Sequence, residues 1–274
     1  MIELKNLDFQ KIFKTGGKVL AGVLALVVLF VLFGGPVEES KGTRYEELMN
    51  RGILRIGVSG DMPKLGVETD GEVQGLEADL AKRITQDIFG KSSVPMLIPY
   101  SARTREYALQ NGDVDLLICR MSNADASEGT YIYSDPYFID AVSFMAKNGE
   151  NMTLEDLSGK KVACIYKSAA QTDFVNEVKK RGLTLQVLEY ASYPEAMEAL
   201  QKGSVDAFAE YTLVLNKYLK TGYSMSADRF APQELCVAAL PEDKELMQQV
   251  QKTLQAMEQS GQLGALRKKW GLLG

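Results

Sequence analysis

Residues 108–115 read ALQNGDVD, and residues 199–206 read ALQKGSVD. Each copy reads as the last turn of a helix, a glycine stop, and a strand opened by Val-Asp, at Val114-Asp115 and Val205-Asp206. Glycine just past a helix takes the left-handed conformation at little cost, which is why it ends helices. Chance reuse of a common helix-to-strand turn is the competing reading. If the copies correspond, the chain carries two units on similar plans, and the ends of their strands correspond as well. Five residues beyond the two aspartates lie Arg120 and Tyr211. Ligands of open α/β sheets bind outside the carboxyl ends of the strands. Arg120-Met121-Ser122 and Glu210-Tyr211 are therefore expected to face each other across a crevice.

Working outward, strand-like runs occur at Leu54–Ser59, Val94–Pro99, Val114–Cys119, Ala141–Ala146, Lys161–Tyr166, Leu183–Leu188, Val205–Ala209 and Leu235–Leu240. Helical runs alternate with them. Leu76–Phe89 sets Leu76, Leu80, Ile84 and Ile88 near one face, and Ala169–Arg181 and Tyr193–Lys202 are similar. This alternation argues for an α/β chain with parallel-rich sheets covered by helices. The first strands of the two units form a second matched pair. One leads into Gly60-Asp61-Met62-Pro63-Lys64, the other into Lys167-Ser168-Ala169-Ala170-Gln171. The second loop opens a helix, whose free amides suit an anionic group. Asp61 suits either a ligand contact or a bond within its own loop. Asp115 and Asp206 open strands, away from the expected mouth, and read as structural. Leu246, Val250, Leu254 and Met257, with Leu263, Leu266 and Trp270, read as a helical pair packed on the first unit.

The chain has 274 residues, a net charge of −5 and acids mixed with bases, with no basic face for nucleic acid. It contains no histidine, which removes Ser-His-Asp and Cys-His catalysis and the commonest metal ligand. Cys119, Cys164 and Cys236 are far apart and each sits in an apolar run, so they read as buried small hydrophobes. A disulfide between two of them stays open at this level. No metal or cofactor is expected.

Residues 1–18 carry Lys5, Lys11, Lys14 and Lys18 against Glu3 and Asp8, and Val19–Val37 carries no charge. As a helix that run is about 28 Å long, close to a bilayer core. Lysines before it and Glu38 and Glu39 after it orient residues 1–18 to the cytoplasm and the remainder outside it. An uncleaved membrane anchor and a cleaved signal peptide are the two readings. The length of the run and the poor cleavage site, with only Ser40-Lys41-Gly42 as a candidate, favour the anchor. Residues 38–43 make a linker.

The blocks LRIGVSGDMPKLGVETDGEVQGLEADLAKRI, RTREYALQNGDVDLLI, YSDPYF at Tyr133–Phe138, GSVDAFAEYTLVLNKYL and GQLGALRKKWGLL together resemble the extracellular solute-binding proteins of family 3. These are the receptors of polar amino-acid ABC transporters, and the resemblance spans about residues 44–274. It implies the two-lobed type II periplasmic-binding-protein fold, here preceded by a transmembrane helix. Lobe 1 would comprise 44–143 and 232–274, and lobe 2 would be inserted at 144–231. Two strands would cross between the lobes as a hinge that closes on ligand. The implied partners are a small polar solute and an ABC-transporter permease subunit.

The resemblance also implies departures. Ser127, beside Glu128, stands where the family holds a carboxylate-binding arginine, and Tyr211 where an aspartate takes the ligand's ammonium. Ala102, in Tyr100-Ser101-Ala102, stands where an aromatic covers the ligand, and Leu65 where another aromatic follows the first aspartate. A bidentate arginine–carboxylate pair in a dry cleft is worth several neutral hydrogen bonds, and serine cannot supply it. These losses argue against an ordinary α-amino acid. Arg120 stands where the family usually has glycine, and either enters the cleft as a replacement charge or faces solvent beside it. Glu210 either faces a cation or is an exposed strand-end carboxylate. Tyr211 offers a ring and a hydroxyl, and Lys167 with Ser168–Gln171 an anion site. The alternatives to transport are an enzyme resembling cyclohexadienyl dehydratases, with Glu210 as its acid, and a ligand-sensing receptor with no transport role.

Overall fold

The computed structural model describes residues 43–123, 129–147 and 152–272. The expected cytoplasmic tail, the apolar span at 19–37 and all but the last linker residue lie outside the described residues, as do Ser127 and Glu128. Among the described residues no helix is long and apolar enough to cross a membrane.

The chain opens with α1 (Arg44–Arg51), β1 (Arg55–Ser59) and a short meander, β2 (Asp61–Met62), β3 (Gly66–Thr69) and β4 (Glu72–Gln74). Next come α2 (Leu76–Phe89), β5 (Met96–Tyr100), α3 (Arg105–Gln110), β6 (Leu116–Met121) and the long β7 (Ile132–Lys147). The second unit holds β8 (Lys161–Ile165), α4 (Ala169–Lys180), β9 (Gln186–Tyr190), α5 (Tyr193–Lys202), β10 (Ala207–Tyr211), α6 (Thr212–Tyr218) and β11 (Tyr223–Met225). Finally β12 (Phe230–Ala239) returns, followed by α7 (Lys244–Gln259) and α8 (Gln262–Lys269).

One nine-stranded sheet runs through both lobes in the order β5-β1-β6-β12-β7-β10-β8-β9, with β11 beside β7. The β1, β5 and β6 strands are parallel, as are β8, β9 and β10. Such strands are covered on both faces, so they read as unbroken apolar runs. In lobe 1, α2, α7 and α8 cover one face around Ile56, Leu80, Ile84, Val250 and Leu263, and α3 covers the other at Leu109 and Leu117. In lobe 2, α4 packs Phe174 on one face and α5 packs Met197 and Leu200 on the other. The C-terminal apolar stripe read from the sequence is thus core, with Leu246, Val250, Leu254 and Met257 all buried. All three cysteines are free and buried.

The internal repeat is a repeat of structure, not a chance turn. Gly112 and Gly203 both have φ 74°. The amides of Asp113 and Ser204 donate to the carbonyls of Ala108 and Ala199, each at 2.9 Å. The amides of Asp115 and Asp206 donate to the carbonyls of Arg55 and Lys161 at 2.8 Å, and the two carboxylates accept the amides of those same residues, again at 2.8 Å. Each aspartate therefore clamps the start of its unit's first strand.

Two strands are longer than their apolar runs suggest. β7 covers 132–147 rather than 141–146, and β12 starts at Phe230 rather than at Leu235. Asp135, Pro136, Asp140, Gln233 and Glu234 interrupt the pattern, and a register shift between β7 and β12 opposite Pro136 accommodates a residue with no amide to donate. These strands link the lobes: β7 pairs with β12 up to Val142 and with β10 from Val142 to Ala146. Helix α6 follows the lobe 2 strand β10, yet its Leu213 and Val214 are buried in the lobe 1 core. Lys64 Nζ donates to Asn216 Oδ1 at 3.3 Å and Lys217 Nζ to the Asp61 carbonyl at 3.3 Å, fixing α6 to lobe 1.

Candidate functional site

The candidate residues lie at the carboxyl ends of β1 and β6 in lobe 1 and of β8 and β10 in lobe 2. On the lobe 1 side those ends are tied by Glu77, which is wholly buried in the first turn of α2. Its Oε2 accepts the Ser59 amide at 2.7 Å, and its Oε1 accepts the Arg120 amide at 3.2 Å and the Tyr137 hydroxyl at 2.8 Å. Burial pushes the Glu77 carboxyl up, against the bonds from Ser59 and Tyr137. Gly75, at φ 145°, lets the chain come this close, since a Cβ there would meet the Leu65 carbonyl oxygen at 2.1 Å.

Arg120 is a non-glycine residue at φ 51°. Arg105 Nη1 holds that turn, donating to the carbonyls of Cys119 at 2.7 Å and Arg120 at 2.8 Å. Arg120 Nη2 lies 3.8 Å from Asp61 Oδ1, and its Nε is buried with no hydrogen-bond partner among the described residues. An ordinary arginine sits at the surface in a relaxed backbone, so a strained, largely covered one is a functional signal.

On the lobe 2 side, Ser168 caps α4 by accepting the Gln171 amide at 3.0 Å. Gln171 accepts the Lys167 amide and donates to Glu189. Lys167 Nζ lies 5.0 Å from the centre of its neighbour's ring, Tyr166. Glu210 shares a face of β10 with Phe208, toward α5. It is only 2 % exposed. Its Oε1 accepts the Tyr211 amide at 2.9 Å, while Oε2 is buried with no hydrogen-bond partner among the described residues. Burial raises its carboxyl to about 7, opposed by the Tyr211 amide and assisted by the charge of Asp140. Tyr211 turns to the other face and donates its hydroxyl to Asp173 Oδ2 at 3.0 Å.

Tyr193 lies in the first turn of α5. Its phenol is pushed up to about 12 by burial and then by the charge of Glu210, with Arg120 opposing and Asp61 adding a smaller push. Its ring centre lies 6.3 Å from that of Tyr218 on α6.

The expected site residues divide accordingly. Asp61, Arg120, Lys167 and Glu210 carry charge at the strand ends, and Glu210 is buried rather than the exposed carboxylate weighed as its alternative. Leu65, Met121 and Ala170 are corrections. Their side chains are buried in the lobe cores: Met121 because it alternates with Arg120 along β6, Ala170 on the inner face of α4, and Leu65 in the turn between β2 and β3. The expected anion site at 168–171 is also corrected in part, since the Ser168 hydroxyl already occupies the Gln171 amide. Ala102 and Ala169 are exposed, and Ser122 is buried. Tyr193, Tyr218 and Glu77 were not among the expected residues. Tyr193 lies just past the carboxyl end of β9, so the strand-end rule used for the other strands would have found it. Glu77 shares a helical stripe with Ala81 and Ile84, a signal of a buried acid. No group of acidic or cysteine side chains suited to a metal ion occurs among the described residues. A groove of about 960 Å³ opens among β7, α7 and α8, and none of these cleft residues lines it.

Comparison with known proteins gives a consistent picture. The model of the bacterial extracellular solute-binding proteins, family 3, matches residues 54–273. The ABC transporter glutamine-binding protein GlnH of Bacillus subtilis (strain 168) is 25 % identical over 264 residues, covering 90 % of this chain and 95 % of that protein. The L-cystine-binding protein TcyJ of Escherichia coli (strain K12) is 25 % identical over 272 residues, covering 95 % and 97 %. Among solved structures, an ancestral arginine-binding protein bound to arginine matches with a TM-score of 0.60 and 27 % identity, covering 80 % of this chain and 98 % of that one.

Proposed function

This chain belongs to the bacterial extracellular solute-binding proteins, family 3, and from that premise we propose that it captures a small polar, amino-acid-like solute between its lobes and hands it to an ABC-transporter permease. Solute would be held in the interlobe cleft by Asp61 and Arg120 from lobe 1 and by Glu210, Tyr211 and the Lys167 loop from lobe 2. Lobe 1 corresponds to 44–143 with 232–274, and lobe 2 to 144–231. Residues 19–37 anchor the receptor as a single transmembrane span, leaving the lobes outside the cytoplasm. The observation that carries the reading is that Arg120 Nε and Glu210 Oε2, at strand ends of the two lobes, are both buried with no hydrogen-bond partner among the described residues. A solute that bridges such groups gains contacts only in the closed state, which is how binding drives closure. The names of the relatives, for glutamine, cystine and arginine, support an amino-acid-like solute.

The test is a thermal-shift screen of the full chain against amino acids, amines and short peptides. At least one solute should raise the melting temperature, and Arg120→Ala should abolish the shift. A complete panel with no shift would sink the receptor reading.

One observation favours a second reading. Glu210 is a covered strand-end carboxyl, its Oε2 without a hydrogen-bond partner among the described residues, and burial raises it to about 7, a setting suited to the general acid that a dehydratase of prephenate or arogenate requires. Turnover of either compound by the wild type, and its loss in Glu210→Gln, would establish that reading.

A further inference from the structure

The groove of about 960 Å³ beside the crossing strands takes no part in the solute site proposed above. Its volume is that of a small-molecule pocket. Phe138 and Ile139 of β7, Leu254 of α7 and Leu263 of α8 line it. Phe138, Leu254 and Leu263 are almost wholly buried and form the floor, whereas Ile139 is 51 % exposed. Contiguous apolar surface left open in a concave wall marks a place where something docks. Gly264, inside α8, lines the same wall, and a Cβ there would meet no atom within 4 Å. Glycine within a helix costs stability relative to alanine. Here neither a neighbour nor a left-handed backbone requires it. The effect of its missing side chain is to keep the groove open.

The charged lining selects the occupant. Glu258 lies 3.4 Å from Arg267, which also donates to the Tyr137 carbonyl at 2.9 Å, and Asp135 Oδ2 accepts from Gln255 at 3.5 Å. Lys268 adds a further cation. Arg229, just ahead of β12, differs from these. All its hydrogen bonds leave from Nη1, to Ser143 Oγ at 3.1 Å and to the carbonyls of Ser226 at 2.5 Å and Asp228 at 2.9 Å. Nε and Nη2 have no hydrogen-bond partner among the described residues. The two acids whose charge acts on Arg229 are engaged elsewhere. Asp228 accepts the Leu154 amide at 2.7 Å, and Asp140 accepts the Thr212 hydroxyl at 2.6 Å and the Ala141 amide at 2.8 Å. Nε and Nη2 make the flat edge by which a guanidinium takes a carboxylate through two parallel bonds.

We propose that this groove is a second ligand site, for a single-chain amphiphilic carboxylate of the fatty-acid class. The carboxylate pairs with Nε and Nη2 of Arg229, and the alkyl chain lies on Phe138, Ile139, Leu254 and Leu263 in the space that Gly264 leaves. An open guanidinium edge beside an apolar floor matches a ligand with one anionic end and one apolar body. Thr212, at the start of α6, also lines the groove, so an occupant touches the crossing strand, the C-terminal helices and α6 together.

Calorimetric titration of the full chain in lipid nanodiscs with octanoate, empty nanodiscs subtracted, tests this. Octanoate should bind one-to-one. Acetate, which lacks the tail, and octylammonium, which inverts the charge, should each bind about tenfold more weakly or worse. Arg229→Gln should weaken octanoate about tenfold and bring it level with 1-octanol. Gly264→Phe fills the groove from α8 without straining the backbone. It should abolish octanoate binding while the circular dichroism spectrum stays that of the wild type. Gly264→Ala, too small to fill the groove, should bind octanoate as the wild type does. The site is refuted if octanoate does not bind, if Gly264→Phe binds it unchanged, or if octylammonium or 1-octanol matches it. A dimer that forms without octanoate binding and is lost in Gly264→Phe refutes it too, and assigns the groove to a second copy of the chain. None of these outcomes bears on the solute receptor, whose thermal-shift screen reads other residues.

Discussion

Arg120 and Glu210 each pay in stability for a position at the cleft. At φ 51° the Arg120 Cβ is crowded in a conformation that glycine adopts freely. Its 3.8 Å pairing with the exposed Asp61 returns little. Arg120→Gly is therefore expected to stabilise the protein by about 0.5–1 kcal/mol in urea unfolding, while solute affinity drops at least tenfold. A variant that lost both would show that Arg120 has a purely structural role. For Glu210 the sign follows from linkage. Its carboxyl stands at about 7 in the folded chain against an ordinary 4.5, so the folded state holds the proton more tightly than the unfolded state. The resulting penalty is absent below about 4.5, grows as pH rises, and is complete above about 7, where it reaches about 3 kcal/mol. Glu210→Gln should match the wild type at pH 4.5 and exceed it by about 2–3 kcal/mol at pH 8, read as the difference between their urea unfolding curves. Equal stability at both pH values would mean that Glu210 is solvated.

The matched turns at Asp115 and Asp206 perform one task with unequal support. Asp115 receives the Arg55 amide at 2.8 Å, Arg55 Nη2 at 2.8 Å and Arg51 Nη2 at 2.6 Å. Asp206 is exposed and receives the Lys161 amide. Asp115→Ala should cost about 2–3 kcal/mol and Asp206→Ala about 1 kcal/mol, since bonds to charged and covered partners are worth more. Burial pushes the Asp115 carboxyl up, but the bonds from Arg55 and Arg51 outweigh it and hold it low. Its contribution is thus present at neutral pH and lost as pH falls through that lowered value, so the gap between wild type and Asp115→Asn should close in acid. The sequence revealed these turns because their glycines and aspartates are local signals. Helices α2 and α5 were equally legible, from apolar spacing that burial then honoured. The crossing strands were not, because Asp135, Pro136 and Asp140 break the alternation and only pairing with β12 keeps them extended. The site divided in the same way. Arg120 was legible from the repeat, whereas Glu77 acts through hydrogen bonds it accepts from Ser59, Tyr137 and Arg120, residues distant in the sequence.

At the scale of the molecule, two lobes of this size would ordinarily unfold as separate units. Here the division is incomplete. β7 and β12 pair with each other at the crossing and continue into both lobes, so one sheet spans them. α6 ties them a second time: Leu213 and Val214 sit in the lobe 1 core, and Thr212 donates its hydroxyl to Asp140 Oδ1, on the crossing strand, at 2.6 Å. Melting lobe 2 alone would strip β10 from β7 and release α6 from lobe 1, exposing apolar surface in the lobe that stayed folded. Unfolding in urea should therefore be a single transition. The one tryptophan, Trp270, reports on lobe 1, where its Nε1 donates to Asp79 Oδ2 at 2.8 Å, while far-ultraviolet circular dichroism reports on both lobes. The two signals should share one midpoint. Saturating solute should raise them together, by about 2.7 kcal/mol at a hundred times Kd. A dichroism transition that precedes the tryptophan change would mean that lobe 2 unfolds independently and that the shared strands and α6 do not couple the lobes.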